Sequence, residues 1–250
     1  KRSGRHDFRS QDGARKAGQA VLEGLNHLNL SVDLSSPDEK IFIEVRGQFS
    51  YVFTDIVESK WGGLPIEPRK KVFVMDVGRR TDLLAGFLLA RRGCQIFPVL
   101  FDMTEKRDQN GIRGENWKEV TEYLPNSRFR AWKVDLYSVM EKVLEKVTEK
   151  RYTCGLCRML RFDFISRLQE PSDALNVEDI RAVTDGSDYV RHSHCPNEID
   201  LQSIGLSHLF SDRPVFTPVI GLDGNQINEY LLRISKGLKK FSYCKFMPAN

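Results

Sequence analysis

The sequence lacks any run of about 18 apolar residues, the length that an α-helix needs to cross a membrane. Its basic start, Lys1-Arg2-Ser3-Gly4-Arg5, is not followed by an apolar stretch, so a secretory signal is not expected. Internal repeats and low-complexity tracts are also absent. These absences predict a cytoplasmic protein with no membrane partner.

Cysteine and excess charge are both scarce. There are five cysteines among 250 residues, and two of them form Cys154-Gly-Leu-Cys157. In a chain without an expected secretion signal, this spacing favours metal, cluster or redox chemistry over a structural disulfide. The 38 basic and 34 acidic residues leave a net charge of only +4, which does not by itself indicate nucleic-acid binding.

The pattern of apolar residues predicts two units, 1–66 and 67–250, joined by a linker over 58–70 around Trp61-Gly-Gly-Leu-Pro65. In the first unit, a helix over Gln11–Leu25 precedes strands over Lys40–Val45 and Phe49–Thr54. In the second unit the predicted strands are Val72–Met75, Gln95–Phe101, Phe129–Val134 and Ile180–Val183, with a last apolar segment at Pro214–Ile220. The predicted helices are Asp82–Arg92, Trp117–Leu124, Leu136–Lys150, Cys157–Leu168 and Asn225–Lys236. This alternation predicts an α/β fold with a doubly wound, mostly parallel sheet whose ligands bind beyond the carboxyl ends of the strands.

Several stretches, taken in order, resemble one known family. They are His6–Asp12, Val32–Asp38, Gly62–Pro65, Leu84–Gly93, Cys157–Arg161, Pro218–Asp223 and Tyr243–Pro248. The first two are similar to the later part of a THUMP domain, which is an RNA-binding module. The set as a whole resembles the tRNA 4-thiouridine synthetase (tRNA sulfurtransferase) family over nearly the whole chain.

This resemblance implies a partial THUMP domain over 1–66 and a PP-loop ATPase domain, similar to adenine nucleotide hydrolases, over 67–250. It also implies ATP-dependent sulfur transfer to a uridine of tRNA, with ATP and magnesium as cofactors. The implied partners are tRNA, a sulfur donor or cysteine desulfurase, and a second copy of the chain in a homodimer. Two alternatives stay open: an RNA-binding relative that has lost the use of ATP, and an iron–sulfur or thiol redox protein.

This sequence also departs from the family pattern. The family's ferredoxin-like domain and the first part of its THUMP domain have no counterpart here. Its nucleotide loop reads Ser-Gly-Gly-x-Asp-Ser, and the matching Val77-Gly-Arg-Arg-Thr-Asp82 keeps only Gly78. Asp185-Gly-Ser-Asp-Tyr-Val190 only partly follows the family's Gly-Glu-Ser-Leu-Gly-Gln.

The loop residues Gly78, Arg79, Arg80, Thr81 and Asp82 are the candidate nucleotide ligands. A loop that leads into a helix N-terminus can bind phosphate through its backbone N–H groups, and small residues allow the close approach. Arg79 and Arg80 could instead clamp phosphate with their guanidinium groups, or fill the pocket and exclude ATP. We therefore expect weak or absent ATP binding.

Cys154, Cys157 and Cys244 are the candidate catalytic and metal-binding residues. A helix N-terminus with Arg158 and Arg161 beside it favours the thiolate form of the pair. The resemblance makes Cys244 the active-site cysteine. Three thiolates can hold an iron–sulfur cluster, and the alternative is persulfide chemistry in which one cysteine carries the sulfur and another resolves it. We expect the three cysteines to converge at the carboxyl edge of the sheet.

The sequence contains three further groups of candidate binding residues, for magnesium, for zinc and for RNA. Asp185 and Asp188 could contact magnesium, and His192, His194 and Cys195 have a spacing that can bind zinc, although a loop without metal is favoured in both cases. The candidate RNA-binding residues are Lys1, Arg2, Arg5, His6, Arg9, Arg15 and Lys16. Arginine and lysine bind phosphates without sequence preference, and His6 with Phe8 could stack on a base.

Overall fold

A computed structural model describes residues 2–104, 109–124, 130–168, 179–189, 201–239, 244 and 246, and of residues 2, 3, 109–112, 151 and 201–203 it describes the backbone alone. The chain divides into two compact units, Lys1–Lys60 and Trp61–Asn250. Within the described ranges, no helix is both long and apolar enough to cross a membrane.

The first unit contains a small sheet and one long helix. Its elements are β1 (Arg2–Ser3), α1 (Ser10–Gly24), a 3₁₀ turn (Asn26–Leu28), β2 (Phe42–Arg46) and β3 (Phe49–Phe53). β2 pairs in parallel with β1 and antiparallel with β3. Gly47 takes a positive φ of 58° in the β2–β3 turn, a conformation that glycine adopts without steric cost. The predicted helix and hairpin are confirmed, whereas β1 is too short to leave a periodic signal.

The second unit is built on a parallel sheet. Its strands are β4 (Glu67–Asp76), β5 (Cys94–Asp102), β6 (Trp132–Asp135), β7 (Ile180–Thr184) and β8 (Val215–Phe216). Its α-helices are α2 (Arg80–Arg91), α3 (Gln109–Thr121), α4 (Leu136–Lys146), α5 (Thr153–Ser166), α6 (Leu201–His208) and α7 (Gly224–Ile234). The strand order is β6-β5-β4-β7-β8, and every pairing is parallel. The predicted doubly wound parallel sheet is confirmed.

Helices cover both faces of this sheet, and each strand contacts both layers because its side chains point alternately to opposite faces. On β4, Val74 packs with α2, α3 and α7, whereas Phe73 and Met75 pack with α4 and α5 on the other face. All three side chains are fully buried. Burying an apolar side chain of this size stabilises the fold by about 1.5–3 kcal/mol, so packing on both faces of the sheet stabilises the second unit.

The strand order changes direction at β4, and this fixes where a site can form. β5 lies on one side of β4 and β7 lies on the other. The loops after β4 and β7 therefore border one crevice at the carboxyl ends of the strands. In doubly wound sheets such a crevice is the usual place for a ligand.

Some predicted boundaries were wrong, and the differences have local causes. α5 begins at Thr153, so Cys154 and Cys157 lie within the helix and not before it. A preceding 3₁₀ turn over Lys150–Tyr152 leads directly into α5, and the Thr153 hydroxyl donates to the Lys150 carbonyl. α3 begins at Gln109 and not at Trp117, and α6 was not predicted.

The segment that follows Lys60 packs as part of the second unit. Trp61 is buried against Phe87, with ring centroids 4.7 Å apart, and the Arg233 guanidinium lies 4.5 Å from the Trp61 ring centroid. The Leu64 N–H donates to the Arg91 carbonyl at 2.9 Å. Gly63 has a φ of 104°, and a Cβ there would lie 2.4 Å from the Arg91 carbonyl oxygen.

We expect Gly63→Ala to lower the free energy of unfolding by about 1–3 kcal/mol, because it combines a strained φ with a backbone clash. Gly114→Ala is the matched control, since a Cβ at this helical position meets nothing within 4 Å. It should stabilise the protein by about 0.5–1 kcal/mol. Urea unfolding of both variants checks this, and equal effects would contradict the close packing of the segment on α2.

Candidate functional site

The candidate site begins at the loop between β4 and α2. β4 ends at Asp76, and Val77, Gly78 and Arg79 lead into the first turn of α2. The first N–H groups of a helix have no partner within the helix, so such a loop can bind an anion. Here the N–H groups of all three loop residues donate to carboxylates of the chain itself.

Asp82 supplies the first of these carboxylates. Its Oδ2 accepts from the N–H groups of Val77 at 3.0 Å and Arg79 at 3.2 Å. Its Oδ1 accepts from the Arg79 guanidinium at 2.8 Å and from the Gly186 N–H at 3.1 Å. The Asp82 side chain is fully buried, so this carboxylate is an internal ligand of the loop and does more than cap the helix.

Asp76 supplies the second carboxylate. Its Oδ1 accepts from the Gly78 N–H at 2.6 Å, and its Oδ2 accepts from the Trp117 indole at 2.7 Å. Burial raises the pKa of Asp76, and the positive charge of Arg113 opposes this rise. The negative charge of Asp82 raises the pKa further.

A small cleft opens beside the loop, with about 240 Å³ of empty space. Its lining residues are Asp76, Arg79, Arg80, Leu83, Arg113, Asn116 and Leu238. The part of this space that protein encloses is about 10 Å³, which is room for about one water molecule and far below the volume of a small-molecule site. Of the three arginines on its wall, Arg79 is paired with the buried Asp82, and the charge of Arg113 acts on Asp76.

The predicted nucleotide ligands all lie at this loop, in different environments. Gly78 has a φ of 95° and lies against Arg113. Arg79 is buried and forms an ion pair with Asp82, whereas Arg80 is half-buried on the cleft wall. The Thr81 hydroxyl is buried and has no hydrogen-bond partner among the described residues. The sequence left two alternatives for the arginines, to fill the pocket or to clamp phosphate. Arg79 fills the loop through its ion pair with Asp82, whereas Arg80 faces the cleft.

The loop after β7 closes the crevice from the other side. Gly186 lies so close to α2 that a Cβ there would be 2.2 Å from the Asp82 nitrogen. The preceding Asp185 is fully buried and accepts from the Arg158 guanidinium at 2.6 Å. Arg158 also donates to the Ser207 hydroxyl at 2.6 Å. Asp185, considered for magnesium, is therefore the partner of an arginine.

The cysteine residues lie on and beside α5. Cys154 and Cys157 are buried, and the Cys157 sulfur lies 4.0 Å from the Met103 sulfur. Cys244 is half-buried and packs against the same core cluster as Cys157. The fourth cysteine of the described part, Cys94, is half-buried.

The geometry does not support the predicted three-thiolate cluster. Cys154, Cys157 and Cys244 are all described, yet no three His, Cys, Asp or Glu side chains in the described part are arranged to hold a metal ion. The Arg158 guanidinium, expected to favour the thiolate form of the pair, forms an ion pair with Asp185, and that the pair is held as thiolate stays a prediction. His192, His194 and Cys195 lie outside the described residues.

The candidate RNA-binding residues belong to the first unit. Arg5, Arg9, Arg15 and Lys16 are exposed, and α1 has no buried residue. His6 and Phe8 lie with ring centroids 5.5 Å apart. Lys1 and the side chain of Arg2 lie outside the described part. Exposure leaves the four described cations accessible to a phosphate backbone.

The sequence analysis missed Asp76, Arg113, Trp117 and Arg158 as members of the site. Asp76 had a usable signal, because it is the first polar residue after the apolar run of β4 and so falls at a carboxyl strand end. Arg113 comes from the first half of α3, which was not predicted, whereas Trp117 lies in the predicted helix but its contact with Asp76 is not local in sequence. Arg158 is distinguished from other helical arginines only by its partner on β7.

Together, the parallel sheet and the paired loops at its switch point define a doubly wound α/β protein. The THUMP domain model matches residues 1–55, and the model described as Thiamine biosynthesis protein (ThiI) matches residues 82–249. The chain belongs to this ThiI family.

Curated relatives match the sequence of nearly the whole chain. A probable tRNA sulfurtransferase of Methanothermobacter thermautotrophicus is 28% identical over 94% of this chain and 57% of its own length. A tRNA sulfurtransferase of Sodalis glossinidius is 24% identical over 99% of this chain and 48% of its own length. The chain thus spans about half the length of these relatives.

One solved structure shares the fold. It is described as a 4-thiouridine synthetase–RNA complex with bound ATP. It aligns with a TM-score of 0.60 and 22% sequence identity, over 94% of this chain and 58% of the solved chain.

His208 makes the site sensitive to pH. Burial lowers its pKa below 6.5, the nearby Asp185 raises it, and Arg158 lowers it. As the pH falls through 6.5, the unfolded chain binds the proton first, so the free energy of unfolding decreases. We expect His208→Gln to reduce this pH dependence by at most about 1.4 kcal/mol per pH unit, which is the effect of one proton.

Chemical denaturation between pH 5 and pH 8 measures this slope, with those limits set at roughly 1.5 units on either side of an unperturbed histidine. His27→Gln, on the exposed 3₁₀ turn, is the matched control. An unchanged slope in His208→Gln would contradict the burial argument.

Proposed function

We propose that this chain acts on tRNA in ATP-dependent sulfur transfer to a uridine. The observation that carries the proposal is the family membership over residues 82–249 together with a THUMP unit over 1–55. The relatives named tRNA sulfurtransferases match along nearly the full chain, which supports the same substrate class. The exposed cations of α1 and its preceding segment are the proposed contacts to tRNA phosphates.

The sulfur is proposed to travel through the cysteines. Cys157 and Cys244 pack against one core cluster, which supports a shared role for these two thiols. One would receive a persulfide from a cysteine desulfurase, and its outer sulfur would attack the uridine carbon and displace the ATP-activated oxygen. The other thiolate would then attack the sulfur–sulfur bond, which releases the thiolated uridine and leaves a disulfide for an external thiol to reduce. Cys154, which lies one turn before Cys157 on α5, is the alternative partner. An iron–sulfur cluster is not part of the proposal, because the described cysteines do not form a three-ligand group.

ATP is the co-substrate that the family implies, and the loop in its present arrangement does not fit it. The N–H groups of Val77, Gly78 and Arg79 already donate to Asp76 and Asp82. The adjoining cleft is also small, and the Arg79 guanidinium on its wall is already paired with Asp82. A specific observation thus favours a second candidate function, a tRNA-binding relative that does not use ATP.

Binding of tRNA should depend on phosphate contacts made by the first unit. We expect Arg9→Ala and Arg15→Ala each to weaken tRNA binding and to reduce the slope of log K against log salt concentration by about 1. Fluorescence anisotropy at several salt concentrations measures both effects. Lys142→Ala removes an exposed charge from α4 and serves as the control. Binding that does not respond to salt would contradict the phosphate contacts.

Sulfur transfer is tested by nucleoside analysis of tRNA. The chain is incubated with unmodified tRNA, ATP, magnesium, a cysteine desulfurase with its substrate cysteine, and a thiol reductant, and the nucleosides are identified by mass spectrometry. We expect 4-thiouridine with the wild type, its loss in Cys244→Ser, and its retention in Cys94→Ser, since Cys94 lies at the start of β5. Salt-dependent tRNA binding without thiolation would favour the second candidate.

A further inference from the structure

We propose that Asp82 is an internal competitor of phosphate and sets the nucleotide affinity of this chain. The inference rests on the proposed function, because it concerns the loop at which that function would take ATP. The family implies ATP, yet the N–H groups of the loop that would bind its phosphates already donate to Asp76 and Asp82.

The contacts of the Asp82 carboxylate are those that an anionic ligand would make. Backbone N–H groups donate to it from the β4–α2 loop and from Gly186 on the β7 loop, and the Arg79 guanidinium binds it as well. The donors thus come from two loops that meet at the topological switch point. A phosphate oxygen in this place would need the same donors, so ligand and carboxylate exclude each other.

A second helix of the same chain separates this role from ordinary helix capping. α1 and α2 begin with the same arrangement, in which an arginine precedes the first turn and an aspartate is the third helical residue. At α1, Asp12 is half-buried and accepts from the Arg9 N–H at 3.2 Å. At α2, Asp82 is fully buried and also binds Val77 and Gly186.

Charge and hydrogen bonding both favour a ligand once Asp82 is removed. The carboxylate cancels the charge of Arg79, and the cleft retains the charge of Arg80 on its wall. Without Asp82, both guanidinium groups and the N–H groups of Val77, Arg79 and Gly186 become available to phosphate oxygens. The buried Thr81 hydroxyl, which has no hydrogen-bond partner within the described ranges, lies beside them.

The test measures binding of inorganic pyrophosphate and of ATP by calorimetry. We expect the wild type to bind both weakly and Asp82→Ser to bind pyrophosphate at least about tenfold more tightly, since charge-assisted hydrogen bonds replace those to the carboxylate. Asp82→Asn keeps the size of the side chain and removes its charge, so it should show a smaller gain in pyrophosphate affinity. It serves as the second test if Asp82→Ser folds poorly. Circular dichroism confirms that the variants are folded.

Asp12→Ser is the matched control, because it removes the same charge and the same type of cap from α1. It should leave pyrophosphate binding unchanged. The inference is overturned by micromolar ATP binding to the wild type, by the absence of a gain in both Asp82 variants, or by an equal gain in Asp12→Ser. None of these results depends on tRNA, so failure of the inference is distinct from failure of sulfur transfer.

Discussion

The buried carboxylate of Asp82 is the interaction on which the site depends. It joins the loop after β4 to the loop after β7, although the two loops are about 100 residues apart in sequence. At an open switch point these loops would form the two walls of a crevice. Here, one side chain satisfies the N–H groups of both walls, and the absence of a side chain at Gly186 lets the walls approach. Asp82 and Gly186 therefore set how closely the two loops approach, and Asp76 holds the remaining N–H group of the first loop.

Buried ion pairs extend this arrangement toward the cysteine helix. Asp185 precedes Gly186 and binds Arg158, which is the residue after Cys157 on α5. A buried pair contributes little net stability, but loss of one partner costs about 3–5 kcal/mol because the other charge is left uncompensated. Such pairs restrict conformation more than they stabilise it. A continuous set of contacts thus leads from the α2 loop through Asp82, Gly186 and Asp185 to α5, so the position of the loop and the position of Cys157 depend on common partners.

Much of the fold could be predicted from the sequence, because local patterns decide it. The apolar run of β4 and the stop at Gly93 after α2 follow from periodicity and from a glycine with a positive φ. The site was less predictable, since its contacts are not local. The loop was correctly placed by resemblance, yet nothing in Val77–Asp82 indicates that Asp82 would turn back onto the loop. The predicted helix began at Cys157, whereas α5 begins at Thr153 and packs Cys157 and Phe162 into the core beside the sheet.

The separation of charges between the two units has a consequence for function. The exposed cations assigned to tRNA lie in the first unit, and the acids that occupy the nucleotide loop lie in the second. Substitution of the loop by arginines and an aspartate therefore leaves the proposed RNA contacts unchanged. Affinity for tRNA and affinity for nucleotide can vary independently in such a chain, because phosphate contacts on an exposed helix need no precise cavity, whereas a triphosphate needs open N–H groups, positive charge and space. In the proposed arrangement, one inward-facing acid weakens nucleotide binding, and the exposed cations of the first unit that are proposed to contact RNA stay unchanged.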